Sequence, residues 1–242
     1  MESASLVILH EDADCLAVVK PAGQFPIGTW APPGEFTLEQ DVRRHLAPDD
    51  PAGVYLGIVH RLDRPTSGVL IWAKTPRAAR RLSSQFERRE AVKEYWALVE
   101  AGPGIPSSCA DEETWSDWLT RPGKNGLVRV VEPGTLGART AVTRARREPS
   151  SGLPPGLAWL RLRPETGRTH QLRAQSAARG GPIVGDAAYG STRIFERPEA
   201  IALHARSLRV RHPTLQQPME LVAPLPVAWH AYGFGIGSDG RA

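Results

Sequence analysis

The stretch Val54-Tyr55-Leu56-Gly57-Ile58-Val59-His60-Arg61-Leu62-Asp63-Arg64-Pro65-Thr66-Ser67-Gly68-Val69-Leu70-Ile71-Trp72-Ala73 sets an apolar run on either side of a dense polar segment. Val54 to Val59 and Gly68 to Ala73 are predicted strands, because β-branched and aromatic residues suit a pleated, half-buried surface. Residues His60 to Gly68 hold one carboxylate, two guanidiniums, an imidazole and two hydroxyls. Burying so many polar groups is costly unless they are paired, so this segment is predicted to be a loop between the two strands.

Upstream, Leu6 to His10 and Cys15 to Val19 predict a hairpin around the acidic turn Glu11-Asp12-Ala13-Asp14, ended by Lys20-Pro21-Ala22-Gly23. Thr37-Leu38-Glu39-Gln40 has the form of a capping box, and Leu38, Val42 and Leu46 then share a helical face. Downstream, Pro76 to about Arg89 predicts a helix with an apolar stripe of Ala78, Ala79, Leu82 and Phe86. Val92 to Ala101 alternates as a strand. Further strands are expected near 126 to 132, 138 to 147, 157 to 163, 203 to 211 and 219 to 223, with loops at 102 to 108 and 149 to 156. Strands outnumber helices and seldom alternate with them, which predicts an α+β class with a mixed, largely antiparallel sheet and flanking helices. Residues 1 to 232 are expected to form a single domain, followed by a Gly-rich C-terminal tail from 233 to 242.

The 242 residues are 41% hydrophobic, enough for a core of ordinary size, and the net charge of +4 allows a polyanionic partner without demanding one. Two cysteines, Cys15 and Cys109, are too few for a disulfide framework or a structural zinc site. Neither a leader sequence nor a run of about 20 apolar residues is present, so a soluble cytoplasmic protein is expected.

Four clusters could carry chemistry. In the first, Asp63 is either a reactive carboxylate or a cap for the turn around Pro65 and Gly68. The second, Thr166-Gly167-Arg168-Thr169-His170-Gln171-Leu172-Arg173, is expected to be a loop entering a helix that runs to about Arg179, with Arg168 and Leu172 sharing a face in its first turn, and likewise His170 and Arg173. The third, Lys93-Glu94-Tyr95-Trp96-Ala97, lies on a strand with Tyr95 and Trp96 on opposite faces. The fourth, Pro182-Ile183-Val184-Gly185-Asp186-Ala187-Ala188-Tyr189-Gly190, suggests a tight turn. Arg80, Arg81 and Arg88 line the polar side of the helix from Pro76, either as a solvated face or as a basic surface.

Together these clusters resemble the RluA-type pseudouridine synthases. His-Arg-Leu-Asp-x-x-Thr-Ser-Gly is complete at 60 to 68, Lys-x-Tyr-x-Ala at 93 to 97, and Gly-Arg-x-His-Gln-Leu-Arg at 167 to 173. Pro-Ile-x-Gly-Asp at 182 to 186 and Leu-His-Ala at 203 to 205 follow in the family's order, and Lys20-Pro21-Ala22-Gly23 also fits. The resemblance implies that family's bent-sheet catalytic fold and the isomerisation of a uridine in transfer or ribosomal RNA, with no cofactor and no metal. It implies that Asp63 either attacks C1′ or takes a proton from C2′. Arg173 would keep that carboxylate charged, and Tyr95 would stack on the base. Arg61 would help displace the nucleotide. On this reading His60, Arg64, Arg168, His170, Arg80, Arg81 and Arg88 are expected to contact RNA, and the chain is expected to act as a monomer. The separate basic RNA-binding domain that larger members carry before the catalytic part is not expected here, since the motifs begin almost at residue 6.

Three other readings share the residues. A hydrolase using Asp63 would need a second acid, for which Asp186 is the obvious choice. An RNA-binding protein without activity would not require Asp63, Tyr95 and Arg173 together. A metal site at His60, Asp63 and His170 would be opposed by Arg61, Arg64 and Arg173, which repel a dication.

Overall fold

The computed structural model describes residues 6 to 150 and 152 to 234. Among these, eleven strands and three α-helices form in the order β1 (Ile8–Glu11), β2 (Cys15–Lys20), α1 (Leu38–Leu46), β3 (Gly57–Ile58), β4 (Ser67–Ala73), α2 (Pro76–Glu87) and β5 (Val92–Glu100). There follow β6 (Glu112–Leu119), β7 (Val130–Val131), β8 (Arg139–Arg147), β9 (Leu157–Pro164), α3 (Gln171–Ala178), β10 (Leu203–Arg211) and β11 (Pro218–Val222). The class is α+β, with predominantly antiparallel pairing. No helix among the described residues is long and apolar enough to cross a membrane.

The contacts divide the chain into two compact units, Met1–Lys93 with Ala205–Pro224 and Glu94–His204 with Leu225–Ala242. In the first, the strand order is β1-β2-β4-β10, with β3 also on β4 and β11 on β10. Cys15, Ala17, Val69, Ile71, Leu208 and Leu221 pack with Ala78 and Leu82 of α2. Gln85 ties α2 to β10 by donating to the Arg211 carbonyl (2.9 Å) and accepting the Arg211 N–H (2.7 Å). Helix α1 starts where its capping box places it: Thr37 accepts the Gln40 N–H and Gln40 accepts the Thr37 N–H.

The register of β2 on β4 runs from Cys15 opposite Ala73 to Lys20 opposite Gly68, bringing Lys-Pro-Ala-Gly to the entrance of β4. Gly68 has φ 120°, and a Cβ there would stand 2.3 Å from the Ala205 carbonyl oxygen. Only glycine lets β4 begin that close to the backbone of β10.

The expected strand at 54 to 59 shrinks to Gly57–Ile58. Asp50 caps a 3-10 turn at Pro51–Gly53 by accepting the Gly53 N–H (3.1 Å), and Arg43 takes the Val54 carbonyl. Pairing with β4 is limited to Gly57 opposite Ala73 and Ile58 opposite Trp72. The strand expected at 126 to 132 likewise reduces to Val130–Val131.

In the second unit the order is β5-β9-β8-β6-β7. Strand β6 was not marked by its sequence: acids and serine are poor strand formers, yet Trp115 and Leu119 are buried and every residue from Glu112 to Leu119 pairs with β8. Trp96, Leu98, Leu160, Leu162, Leu172, Ile183 and Trp229 build the core. Phe234 joins it edge to face with Trp159 and Trp229. The second residue of the expected Gly-rich tail is therefore a core residue, and from 235 onward the tail lies outside the described residues.

Candidate active site

The Asp63 loop is held from both sides. Leu62 is buried, as are Thr66 and Ser67, while Asp63 between them is half-buried. The Asp63 carbonyl accepts the Thr66 N–H (3.1 Å), so the chain turns directly after the carboxylate. Arg64 is clasped by the segment after β2. Its carbonyl accepts the Gly23 N–H (2.9 Å) and the Lys20 ammonium (2.9 Å). Its Nε donates to the Gly23 carbonyl (2.9 Å), and its guanidinium lies over the Phe25 ring at 4.6 Å. Lys20 is fully buried and also donates to the carbonyls of Pro21 (2.7 Å) and Gln24 (2.8 Å), so three carbonyls receive one charged group. A charge without such partners would not stay in the interior.

His60 has a structural task in the same loop. Its Nε2 accepts the Ile71 N–H (3.0 Å), and its ring stacks on Phe86 at 4.7 Å. Burial, with the nearby Lys93 ammonium, pushes its pKa down to about 3, so the ring is neutral and carries its proton on Nδ1. Arg61 is exposed. On α2, Arg80 is exposed, as is Arg88 just past the helix end, whereas Arg81 donates to the Pro213 carbonyl (2.7 Å).

The second unit carries Tyr95, Arg168, His170 and Arg173. Tyr95 sits on β5 opposite Leu162, half-buried against the core, while its neighbour Trp96 is buried. Helix α3 starts later than the motif suggests. His170 precedes it in the left-handed region (φ 51°), and Arg168 lies outside it, donating Nε to the Thr140 carbonyl (3.0 Å). Arg168 and Leu172 therefore share no helical turn. Gln171 Oε1 takes the Arg168 N–H (3.0 Å) and the Thr166 hydroxyl (2.7 Å), and its Nε2 reaches Thr143 (2.9 Å), which locks the loop onto β8.

Arg173 is buried, and its Nε and Nη2 form a bidentate pair with Asp186 at 2.7 and 2.8 Å. Asp186 is itself only 2% exposed. The guanidinium also lies over the Tyr189 ring at 4.8 Å. The Tyr189 oxygen accepts the Val128 N–H (3.0 Å) and is hydrogen-bonded to His170 Nδ1 at 3.0 Å. Arg173, Asp186, Tyr189 and His170 thus form one network. The sequence marked Asp186 and Tyr189 as parts of a turn but offered no sign of which side chain they serve.

One further set, His10, Asp12, Cys15 and His212, has ligand atoms within 4.8 Å of one another. His212 Nδ1 accepts the Thr214 and Leu215 N–H groups (3.2 and 3.0 Å), so Nε2 carries the ring proton and donates to Asp12 (2.6 Å). A metal at Nε2 would require that proton to leave while Nδ1 stays fully engaged. Burial alone would raise the Asp12 pKa; the Cys15 N–H, His10, His212 and the Asp14 N–H outweigh it and hold the carboxyl well below its usual range. Burial and Asp12 push the Cys15 thiol up to about 12. The set reads as a hydrogen-bond hub around one carboxylate.

Residues 15–178 match the family model of RNA pseudouridylate synthases. The chain is 33% identical over 220 residues to "Dual-specificity RNA pseudouridine synthase RluA" of Escherichia coli strain K12, covering 90% of this chain and 93% of that one. It is 32% identical over 246 residues to "tRNA pseudouridine synthase C" of Pectobacterium carotovorum, covering 97% of this chain but 63% of that protein's length. Among solved structures, human RNA Pseudouridylate Synthase Domain Containing 1 superposes with a TM-score of 0.72 at 30% identity, over 96% of this chain and 89% of that one. The chain belongs to the RNA pseudouridylate synthase family. Its class of activity is that of an RNA isomerase.

Proposed function

We propose that the chain converts a specific uridine of a structured RNA, transfer or ribosomal, to pseudouridine by means of Asp63 and without a cofactor. The observation that carries the assignment is the support given to that one carboxylate: a buried Leu62 before it, a closed turn after it, and the buried Lys20 ammonium fastened to the next residue's carbonyl. A catalytic group must be kept near its productive geometry, and a loop pinned in this way supplies that. Tyr95 stacks on the extruded base, where stacking is worth about 1 to 3 kcal/mol and offsets part of the unstacking cost. Arg173 acts on the same uridine as the cationic partner of Asp63, oriented by Asp186 and Tyr189. Arg61 helps displace the nucleotide. Arg80, Arg88, Arg168 and His170 are the peripheral RNA contacts. His60, Arg64, Arg81, Arg168 and His170 also hold the scaffold, since the ring or a guanidinium N–H of each is engaged within the fold. The protein works as a cytoplasmic monomer.

The names of the two bacterial relatives support an RNA substrate, and one of them a transfer RNA. A hydrolase reading is weakened by Asp186, its candidate second acid, because that carboxylate is buried and bound to Arg173 through both oxygens. The test is to incubate wild type and Asp63→Ala with total RNA from cells lacking the gene, without added metal, and to map pseudouridine. New pseudouridine with wild type only is the expected result. Its absence in both, or release of free uracil, overturns the proposal.

A further inference from the structure

The loop that carries Asp63 leaves one polar atom unsatisfied. Thr66 is 2% exposed, and its hydroxyl is the only side-chain polar atom from His60 to Gly68 that is buried without a hydrogen-bond partner among the described residues. A hydroxyl buried in this way carries its full desolvation cost, and valine would fill the same space without it. Native folds hold few such groups, and a role elsewhere in the working cycle is one reason to keep one.

The groups around it are committed to one another. The Thr66 N–H bonds the Asp63 carbonyl (3.1 Å), and the Gly23 N–H bonds the Arg64 carbonyl (2.9 Å). Lys20 donates to the carbonyls of Pro21, Gln24 and Arg64. His60 Nε2 takes the Ile71 N–H (3.0 Å). Asp63 and Thr66 are the two ends of one turn, so their Cα atoms are less than about 7 Å apart, a separation that a carboxylate and a hydroxyl can bridge. Thr66 supplies the stiff half of such a pair. Its side chain branches at Cβ and is packed directly ahead of β4, where every residue from Ser67 to Ala73 is buried.

We propose that Thr66 is a positioning residue for Asp63: with a uridine bound, the Thr66 hydroxyl donates to the Asp63 carboxylate and fixes its rotamer against the sugar. The inference rests on the reading that Asp63 is the reactive carboxylate. Hydrogen bonds at a catalytic centre are often long or unmade in the free protein and close only in the complex. A hydroxyl on a carboxylate makes a short, charge-assisted bond, which offsets the cost of keeping that hydroxyl dry before substrate arrives.

The test uses the full chain, the variants Thr66→Val and Thr66→Ser, and an unmodified transcript containing the uridine that wild type converts. Thr66→Val keeps the shape and removes the hydroxyl. Its Tm should equal or exceed that of wild type, because an unsatisfied group leaves the interior. Its kcat should fall about 10- to 100-fold, the range of a lost hydrogen bond to a charged group, with KM nearly unchanged. Thr66→Ser restores the hydroxyl on an unbranched side chain and should recover most of that loss. A kcat for Thr66→Val within about twofold of wild type overturns the proposal, as does a loss carried by KM instead. A fall in Tm of more than about 2 °C in Thr66→Val would assign the hydroxyl to the scaffold, for instance as the holder of an internal water, and overturn it too. So would a Thr66→Ser protein no faster than Thr66→Val. Activity lost in Asp63→Ala but kept in Thr66→Val removes Thr66 alone, whereas activity kept in Asp63→Ala removes the reading of Asp63 and Thr66 with it.

Discussion

Replacing Asp186 by Asn keeps the shape of the side chain and removes its charge from a pair in which Arg173 is 6% and Asp186 2% exposed. Removing one partner of a buried ion pair costs about 3 to 5 kcal/mol, because the other charge stays desolvated. Tyr189 still covers the guanidinium, and a desolvated cation–π contact is worth up to about 2 kcal/mol, so the lower end, about 3 kcal/mol, is expected. For a chain of this length that corresponds to a fall in Tm of about 6 to 12 °C. Turnover should fall as well, since the guanidinium loses its fixed direction. The double variant Arg173→Met/Asp186→Leu separates the two effects: two apolar side chains of similar volume should bring Tm back near wild type while pseudouridine formation stays lost. Thermal unfolding and a single-turnover assay read both quantities. A fall in Tm of under about 2 °C for Asp186→Asn, with wild-type turnover, would refute the claim that this carboxylate holds Arg173.

His60 gives a pH prediction. Its folded pKa, about 3, lies below the ordinary 6.5, so the unfolded chain binds the extra proton first; the associated stability is fully present above about pH 6.5 and is lost as pH falls toward 3. The slope is about 1.4 kcal/mol per pH unit, and His60→Gln, whose amide oxygen can still accept the Ile71 N–H, should remove that slope in denaturant titrations from pH 7 to 4. Equal pH dependence in both proteins would contradict a neutral buried ring. Lys20→Met removes three hydrogen bonds to carbonyls, the Arg64 carbonyl keeping the Gly23 N–H; at about 1 kcal/mol each, stability should drop by about 3 kcal/mol in urea unfolding, and kcat should fall with the freed Asp63 loop. Unchanged kcat in folded protein would remove Lys20 from the support of that loop. Tyr189→Phe keeps the ring under Arg173 but removes the acceptor for Val128 and the partner of His170. A loss of about 1 to 2 kcal/mol and a raised KM are expected, and stability and kinetics like wild type would count against the network around Arg173.

Much of the scaffold was readable because local chemistry and packing agree. The Thr37 and Gln40 capping box starts α1 at the predicted residue, the stripe of Ala78 and Leu82 buries α2, and β5 forms where a strand was expected, although Trp96 to Val99 are all buried rather than alternating. The reading failed where a neighbour decides the conformation. Strand β6 exists because β8 pairs with it along its whole length, despite its acids, and the strand expected at 54 to 59 is reduced to the two residues that pair with β4. His170 shows the same limit on one residue: a helical spacing suggested that it lies within α3, whereas it sits in the left-handed region just before it.

The order of the short motifs was enough to point to the family and to single out Asp63, Tyr95 and Arg173, because chemistry confined to a few residue types at fixed spacing is written in the chain itself. What those residues lean on was not. Asp186 is 13 residues from Arg173, Lys20 is 44 from Arg64, and Tyr189 is 61 from Val128. A hydrogen bond between distant residues leaves no periodicity to read, and a buried charge looks like any other charge until the groups around it are known. Only the tertiary structure could decide that Arg64 is clasped, that His60 is neutral, and that Thr66 is buried at the end of the turn after Asp63.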